Sequence, residues 1–141
     1  MKVYKTLFLL VLSLLFLAAS PAMLQHFTAD IPDPDRNEIH LTWVVDEQPG
    51  IMHYTIKRKM VRDTDFVLVN TIQPQPGSAN PKEYNYVDKN VFRNQSNAEP
   101  VMYHLYVNYT NGDKSRIGET EINYSSTAIR RTWGSIKAMF Q

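Results

Sequence analysis

The sequence predicts an all-β fold, a seven-stranded antiparallel β-sandwich, and three observations carry that prediction. Apolar residues recur with a two-residue period in one segment after another. Those segments are short and are bounded by proline, glycine and asparagine turns. No helical period occurs before Ser125, and no cysteine occurs anywhere, so the fold must hold by packing without disulfides.

Ahead of the first strand, MKVYK, TLFLLVLSLLFLA and ASPAM form a basic start, an apolar run of about a dozen residues and a small-residue end. They predict a signal peptide over 1–22, with Ser20 and Ala22 before the cut and Met23 opening the mature chain. The protein is therefore expected to be exported. The apolar run is shorter than the roughly 20 residues of a spanning helix, and an uncleaved anchor is the alternative reading. No other segment is long and apolar enough to span a membrane, so a cut chain is not expected to cross one.

The span 23–125 carries the strands. LQHFTADIPDPDRN reads as an edge strand ended by Pro32 and Pro34. In EIHLTWVV, Ile39, Leu41, Trp43 and Val45 alternate with His40, Thr42 and Val44, so Trp43 points inward. Pro49 and Gly50 turn the chain into MHYTIKRKM, where Tyr54 and Ile56 share one face and His53, Thr55 and Lys57 the other. FVLVNTI, Phe66 to Ile72, is β-branched and apolar enough for another strand, and QPQPGSANPK follows as a long surface loop. EYNYVD resumes the extended pattern. VMYHLYVNY sets Tyr103, Leu105 and Val107 on one side, Asn111-Gly112 is a strong hairpin signal, and the return strand covers about Arg116 to Tyr124.

Four of these stretches, HLTWVV, HYTIKRK, YNYVDKNV and VMYHLYVNYTNGDKS, resemble the B, C, E and F-to-G elements of a fibronectin type III domain, over roughly Leu24 to Ser125. The resemblance implies that Tyr103 is the tyrosine corner, its hydroxyl bonded to nearby backbone. The chain departs from the family pattern between Ile72 and Tyr84 and at FRNQSNAEP. It has no RGD triplet, so no integrin-type adhesive site carries over.

Composition narrows the function. The 15 Lys and Arg, two of them in the leader, nearly balance 14 Asp and Glu, which gives no basic face for nucleic acid. No nucleophile with base and orienting acid, no paired carboxylates and no phosphate loop occur, so neither catalysis nor a cofactor is expected. Asp30, Asp33 and Asp35 crowd beside prolines in a solvated turn, with a loose calcium site as the lesser reading. Asn94, Asn108 and Asn123 begin N-x-S/T triplets, which matter only in a eukaryotic secretory pathway. Strand geometry places His53 near Asn108 and away from His104, too far apart for a shared zinc ion. With Thr55 and Asn108, the residues His53, Lys57, His104 and Tyr106 form a solvent-facing sheet surface able to meet protein or carbohydrate. Such a surface is also how ordinary sandwiches meet water.

The ending, 126–141, is the second candidate. At about 100° per residue, Ile129, Trp133, Ile136 and Phe140 fall within an arc of roughly 60°. Arg130 and Lys137 flank that stripe, and Arg131 adds a third cation to a segment with no acid. This predicts a short C-terminal amphipathic helical tail, marginal alone because of its length and Gly134. Its order has to come from packing on its own domain, a partner or a membrane surface. The expected function is an exported, non-catalytic fibronectin type III-like module that binds a protein partner through this tail. The alternatives are a structural subunit of an extracellular or envelope assembly and a carbohydrate-binding accessory domain.

Overall fold

The computed structural model describes residues 23–33, 36–47, 49–91 and 99–124. These form β1 (Met23–Asp30), β2 (Ile39–Asp46), β3 (Ile51–Met60), β4 (Val67–Ile72), β5 (Lys82–Asp88), β6 (Glu99–Tyr109) and β7 (Lys114–Tyr124). All neighbouring strands are antiparallel, in a three-stranded sheet ordered β1-β2-β5 and a four-stranded sheet ordered β4-β3-β6-β7. The fold is a β-sandwich. The predicted leader, the predicted helical tail and most of FRNQSNAEP lie outside the described residues. Among the described residues no helix is long and apolar enough to cross a membrane.

The two-residue period explains the core. Ile39, Leu41, Trp43 and Val45 of β2 are fully buried, as are Tyr54 and Ile56 of β3 and Val101, Tyr103, Leu105 and Val107 of β6. Trp43 stacks on Tyr84 with ring centroids 5.1 Å apart and an interplanar angle of 6°. Phe27 and Tyr54 meet the same indole edge-on, at 6.4 and 6.2 Å. Contacts of this kind add about 0.5–1.5 kcal/mol each beyond the area they bury.

The Asn-Gly hairpin forms with a different turn from the two-residue loop such a pair favours. Gly112 N–H donates to the Tyr109 carbonyl and Tyr109 N–H to the Asp113 carbonyl, at 3.0 and 2.9 Å. Gly112 has a φ of 92°, while no residue other than glycine has a positive φ among those described. The loop is therefore three residues long, a turn closed by a left-handed glycine.

Gly118 has another role. The β6–β7 pairing slips so that Leu105 faces Gly118 and Tyr106 faces Arg116, leaving Ile117 as a bulge. A Cβ on Gly118 would stand 2.5 Å from Leu24 Cδ2 and 3.2 Å from Phe27 Cδ1. The missing side chain lets β1, the edge of one sheet, close against β7, the edge of the other. Leu24 can swing aside, but Phe27 is wedged against Trp43. Gly118→Val is expected to destabilise the fold by about 1–3 kcal/mol, read as a lowered urea midpoint; an unchanged midpoint would show that β1 is free to shift.

Candidate functional site

Two carboxylates withdrawn from water are the first places to look for chemistry, and both are occupied with holding the sandwich together. Asp88, at the end of β5, is fully buried. It accepts from Arg58 Nη1 at 2.6 Å, Tyr103 Oη at 3.0 Å and the Asn90 backbone N–H at 3.0 Å. Tyr103 was expected to bond to nearby backbone; its partner is instead this carboxylate on the opposite sheet. Burial, then the charge of Asp88 and the bond to it, push the Tyr103 phenol well above its ordinary pKa.

At the other end of β5, Glu47 accepts from Tyr54 Oη at 3.0 Å and from Tyr84 Oη, and pairs with Lys82 Nζ at 2.7 Å. Burial first, and Glu47 second, raise both phenols, Tyr84 to about 12 and Tyr54 beyond it. The β4–β5 loop is tied to this cluster. Gln75 N–H donates to Tyr84 Oη at 2.8 Å and Glu47 N–H to Asn80 Oδ1 at 2.9 Å.

The outer face of the four-stranded sheet is the accessible polar surface. It is built by register: Lys57 lies opposite His104, Thr55 opposite Tyr106 and His53 opposite Asn108. On β7, Glu119 faces His104, Arg116 faces Tyr106 and Lys114 faces Asn108. His53, Lys57, His104 and Tyr106 therefore share one face as predicted, with His53 at Asn108.

Two expectations are corrected: neither Thr55, 6% exposed and bonded to Asn108 Nδ2, nor His104 faces solvent. Phe66 folds over the sheet and stacks on the imidazole, centroids 3.7 Å apart, leaving His104 7% exposed. Phe66 was read as the first residue of β4, but the strand begins at Val67 and its ring serves as a cover. Arg116 Nη1 donates to His104 Nε2 at 3.3 Å, and the Tyr106 hydroxyl stands 3.5 Å from Nδ1. Burial lowers the His104 pKa first, the Arg116 and Lys57 charges lower it further, and Glu119 works in the opposite direction. Lys57 Nζ and Lys114 Nζ lie over the Tyr106 ring, at 5.5 and 4.7 Å from its centroid. Beside His104, an open cleft of about 250 Å³ is lined by Met102, Glu119 and Glu121 among others.

The sequence reading missed Arg116, Lys114 and Phe66. The bulge at Ile117 is what aligns Arg116 with Tyr106, and Gly118 was its only local signal. Among the described residues, no group of three potential ligands could hold a metal ion. The tail candidates Ile129, Arg130, Arg131, Trp133, Ile136, Lys137 and Phe140 lie outside the described residues.

Fold and site define a cysteine-free antiparallel β-sandwich with bonded inner charges and a polar, cationic outer face. No protein-family model matches the chain, and no curated protein sequence does. Among solved structures it is similar to Astrotactin-2, described as a conserved vertebrate-specific, perforin-like membrane protein involved in neuronal development. That match has 16% identity and a TM-score of 0.48, over 76% of this chain and 22% of the other. The present chain thus spans about a fifth of that one's length.

The tyrosine shifts set a pH response. An unfolded chain releases phenolic protons near about pH 10, whereas the folded chain holds Tyr84 to about 12 and Tyr54 and Tyr103 higher. Their stabilisation is complete below about pH 10 and is lost as pH rises through the folded values. Urea midpoints should fall between about pH 10 and pH 12, less steeply in Tyr84→Phe; a flat profile would refute the assignment.

Proposed function

We propose that the chain is an exported, non-catalytic protein-interaction module of fibronectin type III type, with the C-terminal tail as its docking segment. One observation carries the family reading. The stretches likened to strands B and E are β2 and β5, which pair with each other, and those likened to C, F and G are β3, β6 and β7, which pair in that order. Sandwiches of the immunoglobulin kind divide their strands in the same way. The leader supports export. The engagement of Glu47 and Asp88 by Tyr54 and Tyr103 of the opposite sheet supports a binding role over a catalytic one.

The tail reading rests on the apolar stripe of Ile129, Trp133, Ile136 and Phe140, with Arg130, Arg131 and Lys137 at its rim. Tryptophan and arginine are the side chains that most often dominate interface energetics. Trp133→Ala should leave the melting temperature nearly unchanged and weaken a purified partner's binding more than tenfold, a loss above about 1.4 kcal/mol. Loss of several kcal/mol of domain stability instead would assign the tail to the domain's own packing.

A second reading, a structural subunit assembling edge to edge, is favoured by β4. Three of the four sheet edges are blunted. β1 closes on β7, which is also bulged and charged, and the Gln75 amide covers β5 by donating to the Glu83 carbonyl at 2.7 Å. The fourth edge, VLVNTI, has no charge and exposes Val67 and Leu68 at 52% and 58%. If this edge joins copies, light scattering will show mass rising with concentration in the parent and a monomer in Leu68→Lys; a parent that stays monomeric throughout would exclude it.

A further inference from the structure

We propose that the outer face of the four-stranded sheet binds the acidic groups of an anionic saccharide, at a site centred on Tyr106 and bounded by Lys57, Lys114 and Arg116. This goes beyond docking by the tail, because it uses different residues and names a different class of ligand.

The charges are arranged for an anion. Lys57 comes from β3 and Lys114 and Arg116 from β7, and all three converge on one residue of the strand between them. Both ammonium groups lie over the Tyr106 ring at 5.5 and 4.7 Å. Among the described residues neither has an acidic partner. Glu119 pairs with the third cation, 3.3 Å from Arg116 Nη1, and stands 3.7 Å from His104 Nε2. Like charges gathered over one ring repel each other, and an anion set between them relieves that repulsion while using the ammonium donors.

The polar groups beneath complete the site. Arg116 can only donate, so His104 Nε2 accepts and the imidazole proton sits on Nδ1, facing the Tyr106 oxygen. The Tyr106 hydroxyl then has its own proton to offer outward. Asn108 Nδ2 donates to Thr55 Oγ1 at 2.8 Å, which orients the amide and leaves its Oδ1 to accept from a sugar hydroxyl.

A saccharide fits better than a protein. Protein interfaces are depleted of charge at their core, and lysine is among the residues they hold least. Here the centre is a phenol ringed by cations and amides, and the exposed apolar residues Leu68 and Met102 stand to the sides.

The test is calorimetric titration of the purified full chain with a heparin-derived hexasaccharide, beside neutral dextran and poly-glutamate. Heparin should bind with an affinity that falls as salt is raised, and dextran should not bind. Lys57→Gln/Lys114→Gln and Arg116→Gln should each weaken binding at least tenfold while keeping the parent's melting temperature, and Lys89→Gln should not. Three results would overturn the proposal. Absence of heparin binding removes the site. Equal affinity for poly-glutamate makes it a site for acidic peptides. Loss of binding in Arg130→Gln/Arg131→Gln, with Lys57→Gln/Lys114→Gln unaffected, moves the binding to the tail, a result that leaves the docking role itself standing.

Discussion

A carboxylate taken out of water has to be fully bonded or the fold is lost, and Asp88 imposes that constraint on both sheets. It sits on β5 of the three-stranded sheet, while Arg58 and Tyr103 reach it from β3 and β6 of the other. Arg58 and Tyr103 are also direct partners across the β3–β6 pairing, so both arrive on the inner face at the same level. Removing one partner of such a buried pair costs on the order of 3–5 kcal/mol. A one-residue slip between β3 and β6 would part Arg58 from Tyr103, and one facing inward would turn the other outward. Asp88 therefore fixes the sheet-to-sheet spacing and the register of the central strand pair together.

The outer face inherits that register. When Arg58 faces inward, Lys57 and Lys59 face outward; when Tyr103 faces inward, His104 and Tyr106 face outward. The convergence of Lys57 on Tyr106 follows from an inner bond it does not touch. On β7 the same logic is displaced by one residue. The bulge at Ile117 keeps Gly118 turned toward β1 and rephases Arg116 to stand beside Tyr106. Inner packing at the β1–β7 corner and outer charge placement are thus set by one extra residue.

Periodicity made the strands and their inner faces legible, because burial on a sheet alternates and Trp43, Tyr54, Tyr103 and Leu105 obey that alternation. It could not show what lies above a face. His104 has an outward phase, and only the path of the chain before β4 brings Phe66 over it. Nor could it show long-range polar partners. Tyr103 announces a buried hydroxyl, but whether it meets backbone or Asp88, fifteen positions away, depends on how two sheets are stacked. Asn111-Gly112 signalled a hairpin correctly, and the loop geometry differed because a positive φ falls on the glycine alone.

The two basic residue types are sorted by the same alternation, and the sorting suits their chemistry. Arg58, inside, meets a buried carboxylate with a planar group that carries several fixed donors and is weakly hydrated, so its desolvation costs less than that of an ammonium. Lys57 and Lys114, outside, carry strongly hydrated point charges on flexible stems and rest over a phenol ring instead of an acid. Exchanging these roles would bury a poorly matched ammonium against Asp88 and leave a rigid fork on the surface. With no disulfide to tolerate such a loss, the inner position has little freedom to vary in chemistry. The outer lysines bear no comparable structural demand: attraction to the face of the Tyr106 ring is enough to hold both ammonium groups there, and their chemistry is free to vary where that of Arg58 is not.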